Sequence, residues 1–126
     1  MRIGSEDVDA RQVSGAGATG MIDETSIGKA TELLERAAQP TRIILFGSHG
    51  RGRSRPDSDL DILVVMKTVS DRLGEMVRLN RVLSPLRIPV DLLVVSEETF
   101  RYWADTPGNV YSAALAEGRV LYDETA

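Results

Sequence analysis

The 126-residue chain contains no cysteine and a single histidine, His49. The missing cysteine excludes disulfides, thiolate metal sites and a cysteine nucleophile. It also agrees with a reducing cytoplasm, where we expect the protein to act. One histidine leaves no basis for a histidine-based catalytic triad or a zinc site.

Long hydrophobic runs are also missing. No apolar stretch approaches the length of a membrane-spanning helix. The first twenty residues include Glu6, Asp7 and Asp9 and lack the apolar centre of a secretory signal. We therefore expect no membrane association and no signal-directed export.

The chain has no overall excess of positive charge, since its formal net charge is −4. DNA-binding proteins usually carry a basic surface, so we expect no stable nucleic-acid binding. Positive charge is concentrated in one short region that contains Arg42, Arg51, Arg53 and Arg55. A local basic patch on an acidic protein favours a small anionic ligand over a duplex.

The polar, glycine-rich residues 1–20 predict a flexible tail, followed by a single domain over residues 21–126. Within the tail, residues 15–20 read GAGATG and match the G-x-G-x-x-G pattern of dinucleotide-binding proteins. That pattern carries weight only between a strand and a helix, and residues 9–14 show no strand pattern. We therefore interpret this segment as a linker.

Helical and strand patterns alternate through the remaining chain. Apolar residues at helical spacing predict a first helix over 24–38, with Asp23 as its cap and Pro40 beyond its end. Further helices are predicted over 71–84, which Ser70 caps, and over 97–104 and 107–117. Short apolar strands are predicted over 41–46, 59–66, 90–95 and 119–122. The alternation predicts an α/β (α+β) domain, a small mixed sheet of three to four strands flanked by helices.

Three carboxylates stand at the starts of predicted strands. Asp59 and Asp61 are two residues apart, so they point to the same face of a strand, about 6.5–7 Å apart along the chain. Asp91 opens the next predicted strand, directly before another apolar run. Taken singly, each fits a solvated turn or strand start. If the two strands are neighbours, the three acids gather at one sheet edge and suit Mg²⁺, which prefers hard oxygen ligands.

A possible anion site precedes these acids. The first predicted strand ends in Gly47-Ser48, where backbone N–H groups and a hydroxyl can approach an anion closely. Arg51, and less directly Arg53 and Arg55, can meet phosphate oxygens with a forked guanidinium. Alone, this stretch reads as a turn and a solvated loop. Beside metal-binding carboxylates, it indicates phosphoryl or nucleotidyl transfer.

The spacing of these residues resembles a known family. Gly47-Ser48, ten further residues and Asp59-Leu60-Asp61 match the G-S-x10-D-x-D signature of the DNA polymerase β-like nucleotidyltransferases. The local sequence is most similar to the minimal nucleotidyltransferases (MNT proteins), and Val90-Asp91 matches the position of their third acid. The chain end EGRVLY, residues 117–122, is also similar, so the resemblance covers roughly residues 24–123 and implies a nucleotidyltransferase fold.

The resemblance also implies a mechanism. Asp59, Asp61 and Asp91 would hold Mg²⁺ on the triphosphate of ATP, and Asp91 would help to deprotonate an acceptor hydroxyl. Gly47, Ser48 and Arg51 would bind the phosphates. AMP would be transferred and pyrophosphate would leave.

The resemblance further implies a partner. MNT proteins are typically encoded beside a helical HEPN protein, an RNase toxin, and some transfer AMP to a tyrosine of that toxin. We expect an antitoxin of this type that assembles with its toxin as a hetero-oligomer, and the smallness of the chain, without a second acceptor-binding domain, favours it. Two alternatives stay open: a transferase acting on a small hydroxyl compound, as the aminoglycoside-modifying relatives do, and a non-catalytic module that binds its partner.

The aromatic residues are few, and three of them cluster on one predicted helix. Phe100, Tyr102 and Trp103 lie within four residues of one another. Aromatic side chains at helical spacing belong to the core more often than to a site, although Trp103 is the one that could face a partner.

Overall fold

The computed structural model describes residues 23–47 and 59–125. The predicted tail, its glycine motif and the loop with Ser48, His49, Arg51, Arg53 and Arg55 lie outside these residues. The described elements are α1 (Glu24–Ala38), β1 (Arg42–Phe46), β2 (Leu60–Met66), α2 (Arg72–Leu83), a 3-10 turn (Ser84–Leu86), β3 (Val90–Ser96), α3 (Glu97–Ala104), α4 (Val110–Glu117) and β4 (Arg119–Asp123).

Side-chain caps set where the helices begin. Asp23 accepts the N–H of Ser26 at 2.8 Å and starts α1 at the predicted residue. The predicted cap of α2, Ser70, is wrong by one residue, because Asp71 accepts the N–H of Gly74 instead. Helix α4 begins three residues later than predicted, since the side chain of Asn109 caps its first turn.

The four strands form one mixed sheet in the order β3-β2-β1-β4. Strand β1 is antiparallel to both of its neighbours, β2 and β4, whereas β2 and β3 run parallel. The parallel pair is joined by a crossover through α2, as parallel strands require. This architecture confirms the predicted fold class.

Helices cover both faces of the sheet. On one face, α1 and α2 pack against Leu60, Ile62 and Val64 of β2. On the other face, Leu63 and Val65 of β2 pack with side chains of α3 and α4. With apolar residues buried on both faces, β2 reads as a continuous apolar run after its first two residues, as expected for a central strand. None of the helices in the two described segments is long and apolar enough to cross a membrane.

The aromatic cluster divides between core and surface. Phe100 is buried, as predicted, and Arg42 lies over its ring with the guanidinium carbon 5.5 Å from the ring centre. Tyr102 and Trp103 are instead 71% and 41% exposed and contact each other edge to face. The core interpretation is therefore wrong for Tyr102, whereas Trp103 is exposed, as a side chain that could face a partner has to be.

Candidate active site

Strand pairing brings the predicted site residues to one end of the sheet. Phe46, the last residue of β1, pairs with Asp61 near the start of β2. Asp61 in turn pairs with Asp91 near the start of β3, in parallel register. Because neighbouring strands lie about 4.8 Å apart, the two acids stand side by side. The sequence placed each acid at a strand start, and the register brings two of them together.

The alternation of side chains decides which face these acids share. Asp61 lies two residues before Leu63, and Asp91 lies two residues before Leu93. Both leucines belong to the face of the sheet that α3 and α4 cover. Residues two apart on a strand point to the same side. Both carboxylates therefore project on the α3–α4 side, where Asp61 is half-buried and Asp91 is exposed. Asp59 is exposed and directly precedes β2.

Gly47 contacts the half-buried acid at this sheet end. Its φ is +68°, a left-handed conformation that side chains disfavour. A Cβ atom built on Gly47 would lie only 2.2 Å from Oδ2 of Asp61. The turn after β1 therefore passes so close to the Asp61 carboxylate that no other residue fits without movement.

The acids form a pair rather than a closed metal cage. Among residues 23–47 and 59–125, no group of three or more acidic or histidine side chains is arranged to hold a metal ion. Mg²⁺ commonly uses only one or two protein carboxylates and completes its shell with water and substrate phosphates. The carboxylates of Asp61 and Asp91, and of Asp59 at the start of β2, supply hard oxygen ligands of this kind.

A salt bridge that the sequence did not predict lies near the same end of the sheet. Arg119 opens β4, where it pairs with Leu45 of β1. Its guanidinium donates two hydrogen bonds to Glu24, at 2.7 and 2.9 Å. These bonds hold the pKa of Glu24 below its ordinary value. The contact joins the first turn of α1 to the edge strand, across 95 residues of sequence.

The preceding residue, Gly118, packs tightly between α4 and β1. A Cβ atom there would meet the carbonyl oxygen of Ala114 at 2.3 Å and Cγ2 of Ile44 at 2.7 Å. The N–H of Gly118 also donates to the Ala114 carbonyl at 2.8 Å. The close packing anchors the end of α4 beside the strand that leads to Gly47.

Comparison with known proteins assigns the family. The sequence model of the nucleotidyltransferase domain family matches residues 28–118. A predicted protein adenylyltransferase of Methanocaldococcus jannaschii is 35% identical over 81 residues, which cover 64% of this chain and 77% of the relative. The chain belongs to the nucleotidyltransferase domain family, and it is a nucleotidyltransferase.

Solved structures share the fold. A mutant of the toxin–antitoxin pair MntA–HpeT is similar with a TM-score of 0.54 and 21% identity, over 81% of this chain and 74% of that one. A toxin–antitoxin structure with AMP-PNP gives 0.54 and 24% over the same shares. A predicted nucleotidyltransferase from Sulfolobus solfataricus gives 0.53 and 22%, over 88% of this chain and 93% of that one. These likenesses confirm the predicted nucleotidyltransferase fold.

Proposed function

We propose that this nucleotidyltransferase transfers AMP from ATP to a hydroxyl of a partner protein, a tyrosine of a HEPN-type toxin, and thereby acts as an antitoxin. The observation that carries the chemistry is the register that sets Asp61 beside Asp91 at the sheet end where Gly47 turns. The 35% identical relative bears the name of a protein adenylyltransferase, which favours a protein acceptor. The toxin–antitoxin pairs that share the fold favour a toxin as that protein.

The proposed reaction is an in-line displacement at the α-phosphorus of ATP. The acceptor oxygen forms a bond to the α-phosphorus, the bond from that phosphorus to the α,β-bridging oxygen breaks, and pyrophosphate leaves with the bonding electrons. Asp91 takes the proton from the acceptor hydroxyl. It is exposed near the start of the edge strand β3, so an acceptor on another chain can reach it.

The same acids supply oxygen ligands of the kind that a divalent metal prefers. Asp59, Asp61 and Asp91 would hold Mg²⁺, with the phosphates of ATP completing its coordination. Bound there, the metal would neutralise charge on the phosphates and on the leaving pyrophosphate. The half-buried position of Asp61 holds its carboxylate near the sheet, whereas Asp59 and Asp91 remain open to the nucleotide.

The phosphate contacts are proposed from the sequence motif. Gly47 ends β1 at the site, and its left-handed conformation turns the chain beside Asp61. Ser48 and Arg51 follow it in sequence, and we propose that they bind the β- and γ-phosphates.

We further propose that the protein acts in the cytoplasm, in a complex with its toxin.

A labelling experiment tests the proposal. ATP carrying the label at the α-phosphate is incubated with Mg²⁺, this protein and the product of the adjacent gene. We expect covalent label on a tyrosine of the neighbour with the wild type, and a loss of at least about 100-fold with an Asp59→Asn/Asp61→Asn double variant. Asp105→Asn is the matched control, because it removes an exposed acid of the α3–α4 loop.

Two results would contradict the proposal. Equal labelling by the double variant would show that the carboxylates do not carry the chemistry. Absence of label on the neighbour, together with modification of an aminoglycoside by the protein alone, would select the small-molecule transferase instead.

A further inference from the structure

The contact between Gly47 and Asp61 suggests a role for this glycine that is separate from phosphate binding. A Cβ atom on Gly47 would lie 2.2 Å from Oδ2, 3.0 Å from Cγ and 3.3 Å from Cβ of Asp61. The Oδ2 side of the Asp61 carboxylate thus occupies the space that any side chain at position 47 would need. Contacts below 3.0 Å do not persist, so one of the two residues would have to move.

The backbone of Asp61 is held in place on both sides. Strand β2 pairs with β1 and with β3, and Leu60 and Ile62 on either side of Asp61 are fully buried. A methyl group on Gly47 would therefore displace the carboxylate rather than the strand. A rotamer change of Asp61 is the cheapest adjustment, and it would turn the carboxylate away from its present direction.

We propose that Gly47 is a positioning residue for Asp61: by lacking a side chain, it leaves the space in which the Asp61 carboxylate stands beside Asp91. The glycine then sets the geometry of the carboxylate pair before any nucleotide binds. Its effect on AMP transfer rests on the proposed function, whereas the contact with Asp61 does not.

A double-mutant cycle read by thermal unfolding tests the contact without metal or nucleotide. Gly47→Ala, Asp61→Ala and the double variant are compared with the wild type. We expect Gly47→Ala to lower the melting temperature clearly in the wild type and much less in the Asp61→Ala background, where the oxygen that it would meet is gone. An additive cycle overturns the proposal.

Gly108 provides a matched control for backbone strain. Its φ is +93°, and a Cβ atom built there would have no atom within 4 Å. Gly108→Ala therefore carries the strain of a left-handed residue without a contact. We expect its loss of melting temperature to be smaller than that of Gly47→Ala and to be unchanged by Asp61→Ala. Equal losses for the two glycine variants in the wild type overturn the proposal.

Binding of Mn²⁺ in the absence of nucleotide distinguishes positioning from phosphate binding. Loss of a residue that orients a metal ligand commonly weakens metal binding about 10–100-fold. We therefore expect the Mn²⁺ dissociation constant of Gly47→Ala to rise by about 10-fold or more, with that of Gly108→Ala unchanged. A variant with intact Mn²⁺ binding and weakened ATP binding would mean that Gly47 acts on the phosphates alone, which overturns the proposal. If the wild type transfers no AMP but the cycle shows coupling, the proposed function fails and the positioning role stands.

Discussion

Replacing Thr41 by valine tests the polar contact that ties α3 to the sheet at the end opposite to Asp61. Thr41 is 8% exposed, and its hydroxyl lies within hydrogen-bond distance of the carbonyl of Val65, at 3.3 Å, and of a carboxylate oxygen of Glu97. Valine keeps the shape of threonine and removes the donor. The substitution therefore isolates the hydrogen bond from the packing.

Each partner of the hydroxyl keeps another interaction. The Val65 carbonyl also accepts the N–H of Thr41 at 2.8 Å. Glu97 keeps the hydrogen bond from Nε of Arg101 to Oε2 at 2.9 Å, and Oε1, which loses the Thr41 hydroxyl, belongs to a side chain that is 17% exposed. The loss is then one hydrogen bond to a carboxylate, about 1.5–3 kcal/mol, partly offset by about 0.8 kcal/mol for the buried methyl group. We expect Thr41→Val to destabilise the fold by about 1–2 kcal/mol.

Thermal unfolding measures this loss. For a domain of this size, 1 kcal/mol corresponds to a shift of about 4–8 °C, so the melting temperature should fall by roughly 5–15 °C. Thr99→Val is the matched control, because Thr99 is exposed and its hydroxyl accepts a hydrogen bond from the hydroxyl of Ser96 at 3.0 Å. We expect the control to change stability by less than about 0.5 kcal/mol.

Two outcomes would refute the reasoning. A loss above about 4 kcal/mol would mean that the substitution leaves a buried partner unsatisfied, and no loss would mean that the hydrogen bond does not stabilise the fold. AMP transfer by Thr41→Val should be unchanged below its melting temperature, because Thr41 lies far from the site. It precedes Arg42, which pairs with Val65 at one end of β1, whereas Phe46 at the other end pairs with Asp61. A loss of activity without unfolding would contradict the location of the site.

Three further predictions address the site, the core and the dependence on pH. Asp91→Asn should lower the rate of AMP transfer by about 100-fold or more in a labelling assay. Its circular dichroism and melting temperature should stay close to those of the wild type, because the side chain is exposed. Phe100→Ala should cost about 3–5 kcal/mol in denaturant unfolding, since it empties a fully buried site, and a loss below about 1 kcal/mol would contradict that burial. Two hydrogen bonds from Arg78 hold the pKa of Glu75 below its ordinary value of 4.5. The ion pair therefore gives its full, small stabilisation of the fold above pH 4.5, and this stabilisation is lost as the pH falls through the lowered pKa of Glu75. Glu75→Gln should remove this part of the acid sensitivity in unfolding curves measured between about pH 5 and 2, and an unchanged pH profile would refute it.

The sequence by itself determined the elements and the family of this protein. Apolar periodicity and cap residues are local signals, so the helix over 24–38 and the strands around Asp61 and Asp91 were predictable to within a few residues. The Asp59-Leu60-Asp61 motif and the Gly47-Ser48 pair, separated from it by ten residues, identified the nucleotidyltransferase resemblance, which the family match confirms. The roles of the individual site residues remain predictions from that motif.

Only the tertiary structure decided which of these residues meet. The parallel register that sets Asp61 beside Asp91, and the approach of Gly47 to the Asp61 carboxylate, depend on how the strands pair. The hydrogen bond from Thr41 to Glu97 spans 56 residues of sequence. The periodicity of one strand does not tell which strand pairs with it, or in which register. Pairing and register are set by the need to bury apolar side chains under the helices on both faces of the sheet, and by the length of chain that connects the strands. The same packing left Tyr102 and Trp103 exposed, since Phe100 is the aromatic residue that α3 turns towards the sheet.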